Sequence, residues 1–121
     1  MKTLALIGAT ALLTSASAFS AEREVDACLL TKPPAGSLVR ATHAGRITTF
    51  PASVPPRYTG CRVTWLEDNY RLATVRFDLG RVRSVELREP DKPEAKCMFG
   101  TNGSLEQGAT DVCATADAWV K

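Results

Sequence analysis

Three kinds of side chain in this 121-residue chain have types suited to chemistry: four cysteines, a single histidine and a set of arginines. Histidine is the side chain most used as a general acid or base, and His43 is the only one in the chain. Joined by Glu86 and Arg83 it would form an RNA-cleaving set, with acid–base work at the imidazole and charge stabilisation at the guanidinium. The spacing opposes this. Glu86 and Arg83 stand three apart, so on a strand they point to opposite faces, and Arg76 or Arg88 would have to replace Arg83. No G-x-S-x-G, S-x-x-K, H-E-x-x-H, phosphate loop or calcium loop occurs. The sequence therefore yields no assembled catalytic set and calls for no cofactor. A small secreted hydrolase such as a nuclease is kept as the alternative function.

The cysteines carry a clearer signal. Cys28, Cys61, Cys97 and Cys113 are separated by 33, 36 and 16 residues, with no C-x-x-C among them. One histidine and these spacings do not make a zinc or redox site. An even number of cysteines in an oxidising compartment reads as two disulfides. Of the three pairings, Cys28–Cys61 with Cys97–Cys113 closes loops of moderate length, and each closure is expected to contribute roughly 2–4 kcal/mol.

The compartment is read from the start of the chain. Lys2, the apolar run Leu4 to Leu13 and the small-x-small site Ala16-Ser17-Ala18 have the form of a secretory signal peptide over residues 1–18. An apolar run of about ten residues is half of what a bilayer core needs, so no membrane span is expected. Cleavage after Ser20 fits the same pattern. Cys28 follows Ala27, but Asp26 interrupts the apolar stretch that a lipid-attachment box requires. Cleavage after Ala18 leaves 103 residues (121 less 18), enough for one small disulfide-stabilised domain over 19–121. The expected location is periplasmic or secreted.

The formal charge is +2, and +1 once Lys2 is removed. That balance and the scarcity of aromatics argue against a nucleic-acid partner. The charge is unevenly spread: residues 40–88 hold nine arginines and no lysine against Glu67, Asp68, Asp78 and Glu86, a net of +5. Arginine suits carboxylate and phosphate recognition and is favoured in protein interfaces.

Any such surface has to be carried by strands. Residues 60–89 alternate with period two: Cys61, Val63 and Trp65, then Ala73, Val75, Phe77 and Leu79, then Val85 and Leu87. Asp68-Asn69 and Gly80 supply the turns, and the pattern reads as an antiparallel meander. Residues 37–50 form a hairpin turning at Ala44-Gly45. Pro51, Pro55 and Pro56 impose an irregular crossing. Residues 96–99 read as a short edge strand. A short helix is expected at 22–30 from Val25, Cys28 and Leu29, and a longer one at 105–120 from Leu105, Ala109, Val112, Ala116 and Trp119, with Ser104 and Gln107 as a capping box and a break at Gly108.

The fold class is then α+β: an antiparallel β-meander covered by a C-terminal helix and stapled by two disulfides. The expected core is Trp65, Val75, Phe77, Val85, Leu87, Val112 and Trp119. On this alternation Arg62, Arg76 and Arg88 share the face away from the core with Asp78 and Glu86, and Arg81 and Arg83 widen the basic patch. With Tyr70 and His43 these are the candidate binding residues. The expected function is an exported binding protein, of inhibitor or immunity type, that presents this face to an envelope or extracellular protein or an anionic envelope component.

Overall fold

The computed structural model describes residues 26–43 and 45–120. The segment read as an export signal and the first part of the helix expected at 22–30 lie outside the described residues. What remains of that helix is a single 3-10 turn, Ala27–Leu29, whose first N–H groups are met by Asp26: its side chain accepts from the Cys28 N–H at 3.0 Å.

Seven strands follow one another across one antiparallel sheet, in the order of the sequence. They are β1 (Leu38–Thr42), β2 (Gly45–Phe50), β3 (Gly60–Leu66), β4 (Arg71–Asp78), β5 (Arg81–Leu87), β6 (Ala95–Phe99) and β7 (Leu105–Gln107). Two short helices close the chain, α1 (Thr110–Ala114) and α2 (Asp117–Val120). The hairpin at 37–50 and the meander at 60–89 match the period-two reading. At the β4–β5 turn both central residues take positive φ, Leu79 at 50° and Gly80 at 85°. This is the turn that follows the right-handed twist of its strands, and glycine fits it without strain. Gly80 has a second constraint, because a Cβ there would meet the Arg57 backbone nitrogen at 2.9 Å.

The C-terminal region departs from the expectation. Residues 105–107 are a strand rather than the start of a helix, and β6 is paired on both sides rather than lying at an edge. Gly103 (φ 84°) and Gly108 (φ 126°) bracket β7 and prevent a continuous helix. Ser104 makes no capping box; its N–H and hydroxyl both bond the Asn102 side chain. The remaining helices hold five and four residues, so they cover only part of the sheet.

The disulfides pair as expected. Cys28 joins Cys61, and Cys97 joins Cys113, with Cα separations of 5.0 and 5.8 Å. The second ties α1 to β6.

The core is divided between the two faces. Directly opposed residues of an antiparallel pair share a face. Arg62 opposes Val75 and Thr64 opposes Ala73, whereas Cys61 opposes Arg76 and Val63 opposes Thr74. The apolar residues of β3 and those of β4 therefore lie on opposite sides. On the front face Ala73, Val75, Phe77, Val85, Leu87 and Cys97 are buried with Cys113 and Ala116 of the C-terminal region, and Val112 and Trp119 are half-buried against them. On the back face Cys61, Val63 and Trp65 are buried beneath Ala27, with Leu30 and Phe50 at the margin. Trp65 thus belongs to a different cluster from Val75 and Phe77. This corrects the single core read from the sequence. All of residues 61–65 are buried, as expected of a strand covered on both sides.

Candidate binding surface

The two-sided core sorts the arginines. Arg62 faces Val75, not Arg76, and is only 5% exposed. Its guanidinium donates to the carbonyls of Pro51 (3.1 Å), Ala52 (2.9 Å) and Val120 (2.9 Å). Burial, and then the neighbouring charge of Arg40, push its pKa below the usual arginine range. The expectation that Arg62 lies on a solvated face with Arg76 is therefore corrected: a strand alternates correctly yet faces the other way when its register is shifted by one residue.

Three other arginines also bind backbone. Arg71 donates to the carbonyls of Cys28 (3.1 Å) and Leu30, holding the N-terminal segment over the back face. Arg81 donates to the Thr101 carbonyl. Arg83 donates to the Phe99 carbonyl at 3.1 Å and lies 3.8 Å from the Asp78 carboxylate. These bonds brace the β5 end against the β6–β7 turn. Arg81 stays exposed, while Arg83 is half-buried.

The remaining arginines among the described residues are presented to solvent. Arg46 and Arg88 form exposed ion pairs with Glu67 (4.0 Å) and Glu94 (3.5 Å). Such pairs contribute ~0–1 kcal/mol and exchange readily for other anions. Arg40, Arg57 and Arg76 are exposed, and their side chains have no hydrogen-bond or ion-pair partner among the described residues. Arg76 is set between Cys61 and Ser84, opposite it on either side. It stands on a part of the back face that residues 26–30 leave uncovered, with Thr74, Glu86, Lys96 and Met98 on the same face. Glu86 pairs with Lys96 at 3.6 Å.

The proposed catalytic combination is not assembled. His43 is exposed at the tip of the β1–β2 hairpin. Arg83 and Glu86 are on β5, with β3 and β4 between that strand and the hairpin. At ~4.8 Å per strand, three spacings separate β2 from β5 by about 14 Å before any offset along the strands is added. The register adds that offset, because Glu86 is level with Thr74, Val63 and Phe50, at the far end of β2 from His43. Tyr70 lies in the β3–β4 turn, 40% exposed, with its N–H donating to Asp68 Oδ1 at 3.1 Å.

A cavity of about 530 Å³ opens on the front face between β5, the β6–β7 turn and the helices. Val82, Val85, Phe99, Ala116 and Val120 line it, and of the candidate residues only Arg81 borders it. No cluster of three or more potential metal ligands occurs among the described residues, and none of their helices is long and apolar enough to cross a membrane. The sequence reasoning missed Arg40 and Arg57. Arg40 was legible as the central charge of β1, and Arg57 follows Pro55-Pro56 in a turn with φ 61°. Comparison with protein families, with curated proteins and with solved structures gave no match.

Proposed function

We propose that the chain is a small exported binding module. It presents the uncovered, arginine-bearing back face of a disulfide-stapled sheet to an envelope or extracellular protein, or to an anionic envelope component. One observation carries the reading: Arg76 is exposed at the centre of that face and has no partner among the described residues, whereas Arg62, Arg71, Arg81 and Arg83 are engaged with carbonyls. A planar guanidinium held on a rigid strand meets a carboxylate or phosphate with little further ordering cost. Lys96 and Arg88 extend the cationic surface. The two disulfides are compatible with an oxidising compartment, which supports export. The sheet gives the hydrolase alternative no assembled acid–base set.

The test compares the tagged oxidised protein with its Arg76→Glu variant on envelope extract. The wild type is expected to retain a partner that the variant retains about tenfold less well, the loss expected of a desolvated charge pair. Equal retention by both proteins contradicts the assignment to this face. Turnover of RNA or peptidoglycan with nothing retained contradicts the binding reading altogether.

A further inference from the structure

Among the described residues no further strand pairs with either edge of the sheet, and the two edges differ. β7 is three residues long and leads directly into α1. β1 is five residues long and exposed at every position. In an antiparallel ladder every second residue of an edge strand turns its N–H and C=O away from its neighbour. β1 holds those groups open to solvent with few of the devices that usually blunt an edge. It contains no proline, and its pairing with β2 runs without a bulge from Leu38↔Thr49 to Thr42↔Gly45. Its apolar residues are also bare, Leu38 at 37% and Val39 at 55% exposed.

Charge decides what can pair there. From Ala27 to Leu66 the chain has no Asp or Glu, while Lys32, Arg40, Arg46, Arg57 and Arg62 carry five positive charges. Arg40 stands at the centre of β1, exposed and without a partner among the described residues. Pairing with β1 of a second copy would set two cationic arms side by side. A strand with carboxylates at alternate positions would neutralise Arg40 on one face while its apolar residues cover Val39 and Ala41 on the other.

We propose that β1 is a docking edge that takes up an extended, acidic segment of a partner protein as an eighth strand. Main-chain hydrogen bonds would supply the binding energy, and Arg40 would select for carboxylates. This surface is distinct from the Arg76 face and stands or falls without it.

The test titrates the oxidised protein with two acetylated peptides of about seven residues, one alternating valine with glutamate and one alternating valine with lysine. The readouts are backbone amide shifts and hydrogen exchange. The glutamate peptide is expected to shift the resonances of Leu38–Thr42 and to slow exchange of alternate amides there by about tenfold or more. The lysine peptide should do neither. Arg40→Glu should reverse the preference, and Val39→Pro should abolish binding of the glutamate peptide. Three results overturn the proposal: no binding of the glutamate peptide at about millimolar concentration; shifts centred on Arg76 and Lys96 without protection in β1; or protection of β1 that appears without peptide as protein concentration rises, which would make a second copy the occupant.

Discussion

Replacing Arg62 by methionine keeps most of the apolar stem and removes the guanidinium, so it isolates the polar clamp. Three hydrogen bonds are lost, to Pro51, Ala52 and Val120. Bonds from a charged donor contribute ~1.5–3 kcal/mol each, a gross loss of ~4.5–9 kcal/mol. Two effects reduce it. The guanidinium is held against a desolvation penalty, seen in its lowered pKa, and that penalty disappears with the charge. The Ala52 carbonyl belongs to an exposed loop residue and can turn to water. The net destabilisation is expected at ~3 kcal/mol, a fall in Tm of ~12–24 °C for a chain of this size. Thermal and urea unfolding measure it, with an unchanged denaturant slope showing that the effect lies in stability. Amide exchange at Trp119 and Val120 should accelerate before the rest of the sheet, because the clamp is what ties α2 to the 51–52 loop. Arg62→Lys should recover less than half of the loss, since an ammonium cannot reproduce the planar fork. A loss below ~1 kcal/mol, or unaltered exchange at Trp119 and Val120, would refute a buried structural role for Arg62.

The disulfides close loops of 33 and 16 residues, worth ~3.7 and ~3 kcal/mol by chain entropy, so Cys97→Ala with Cys113→Ala should lower Tm by many degrees and release α1. Melting that is unchanged under strong reductant contradicts this. Leu79 is 56% exposed and sits at φ 50° beside Gly80, so Leu79→Asn should stabilise by ~0.5–1 kcal/mol; a lower denaturation midpoint would show that the side chain contributes packing instead. Burial, and then the charge of Asp26, raise the pKa of Tyr58, whose hydroxyl donates to the Cys61 carbonyl at 2.8 Å. The folded state therefore keeps the proton longer than the unfolded chain, and stability should hold up to about pH 10 and decline above it. Tyr58→Phe should flatten that decline, and identical pH profiles for the two proteins would rule the linkage out.

Much of the architecture was legible because its signals are local. The β1–β2 hairpin and the three strands of residues 60–89 announce themselves by alternation and turn residues, and the disulfide pairing by loop length. The face of each strand was not legible. Alternation in β3 separates Cys61, Val63 and Trp65 from Arg62 and Thr64, but it cannot say which set opposes Val75. That depends on the turn at residues 67–70 and on the register shift between Thr64 and Trp65. Arg62 was misplaced for this reason, and Trp65 was assigned to the wrong cluster. The helix read over 105–120 failed differently. Leu105 lies at helical spacing from Ala109 and Val112, yet pairing of β7 with β6 and the positive φ of Gly108 override that periodicity. Of the candidate surface, Arg76 and Arg88 were correctly expected to be exposed. Arg40 and Arg57 join Arg76 as unpaired charges only when the side-chain partners of the other described arginines are known.

Cys61 and Arg62 are consecutive, and between them they moor both extremities of the described chain: the sulfur holds the segment at Cys28 on one side, and the guanidinium holds Val120 on the other. Parity is thus built into β3. Inserting or deleting a single residue between this pair and Trp65, within β3, would turn the two moorings to the wrong sides of the sheet at once. Changes of length in this protein should accordingly be tolerated at the hairpin tips and punished in β3.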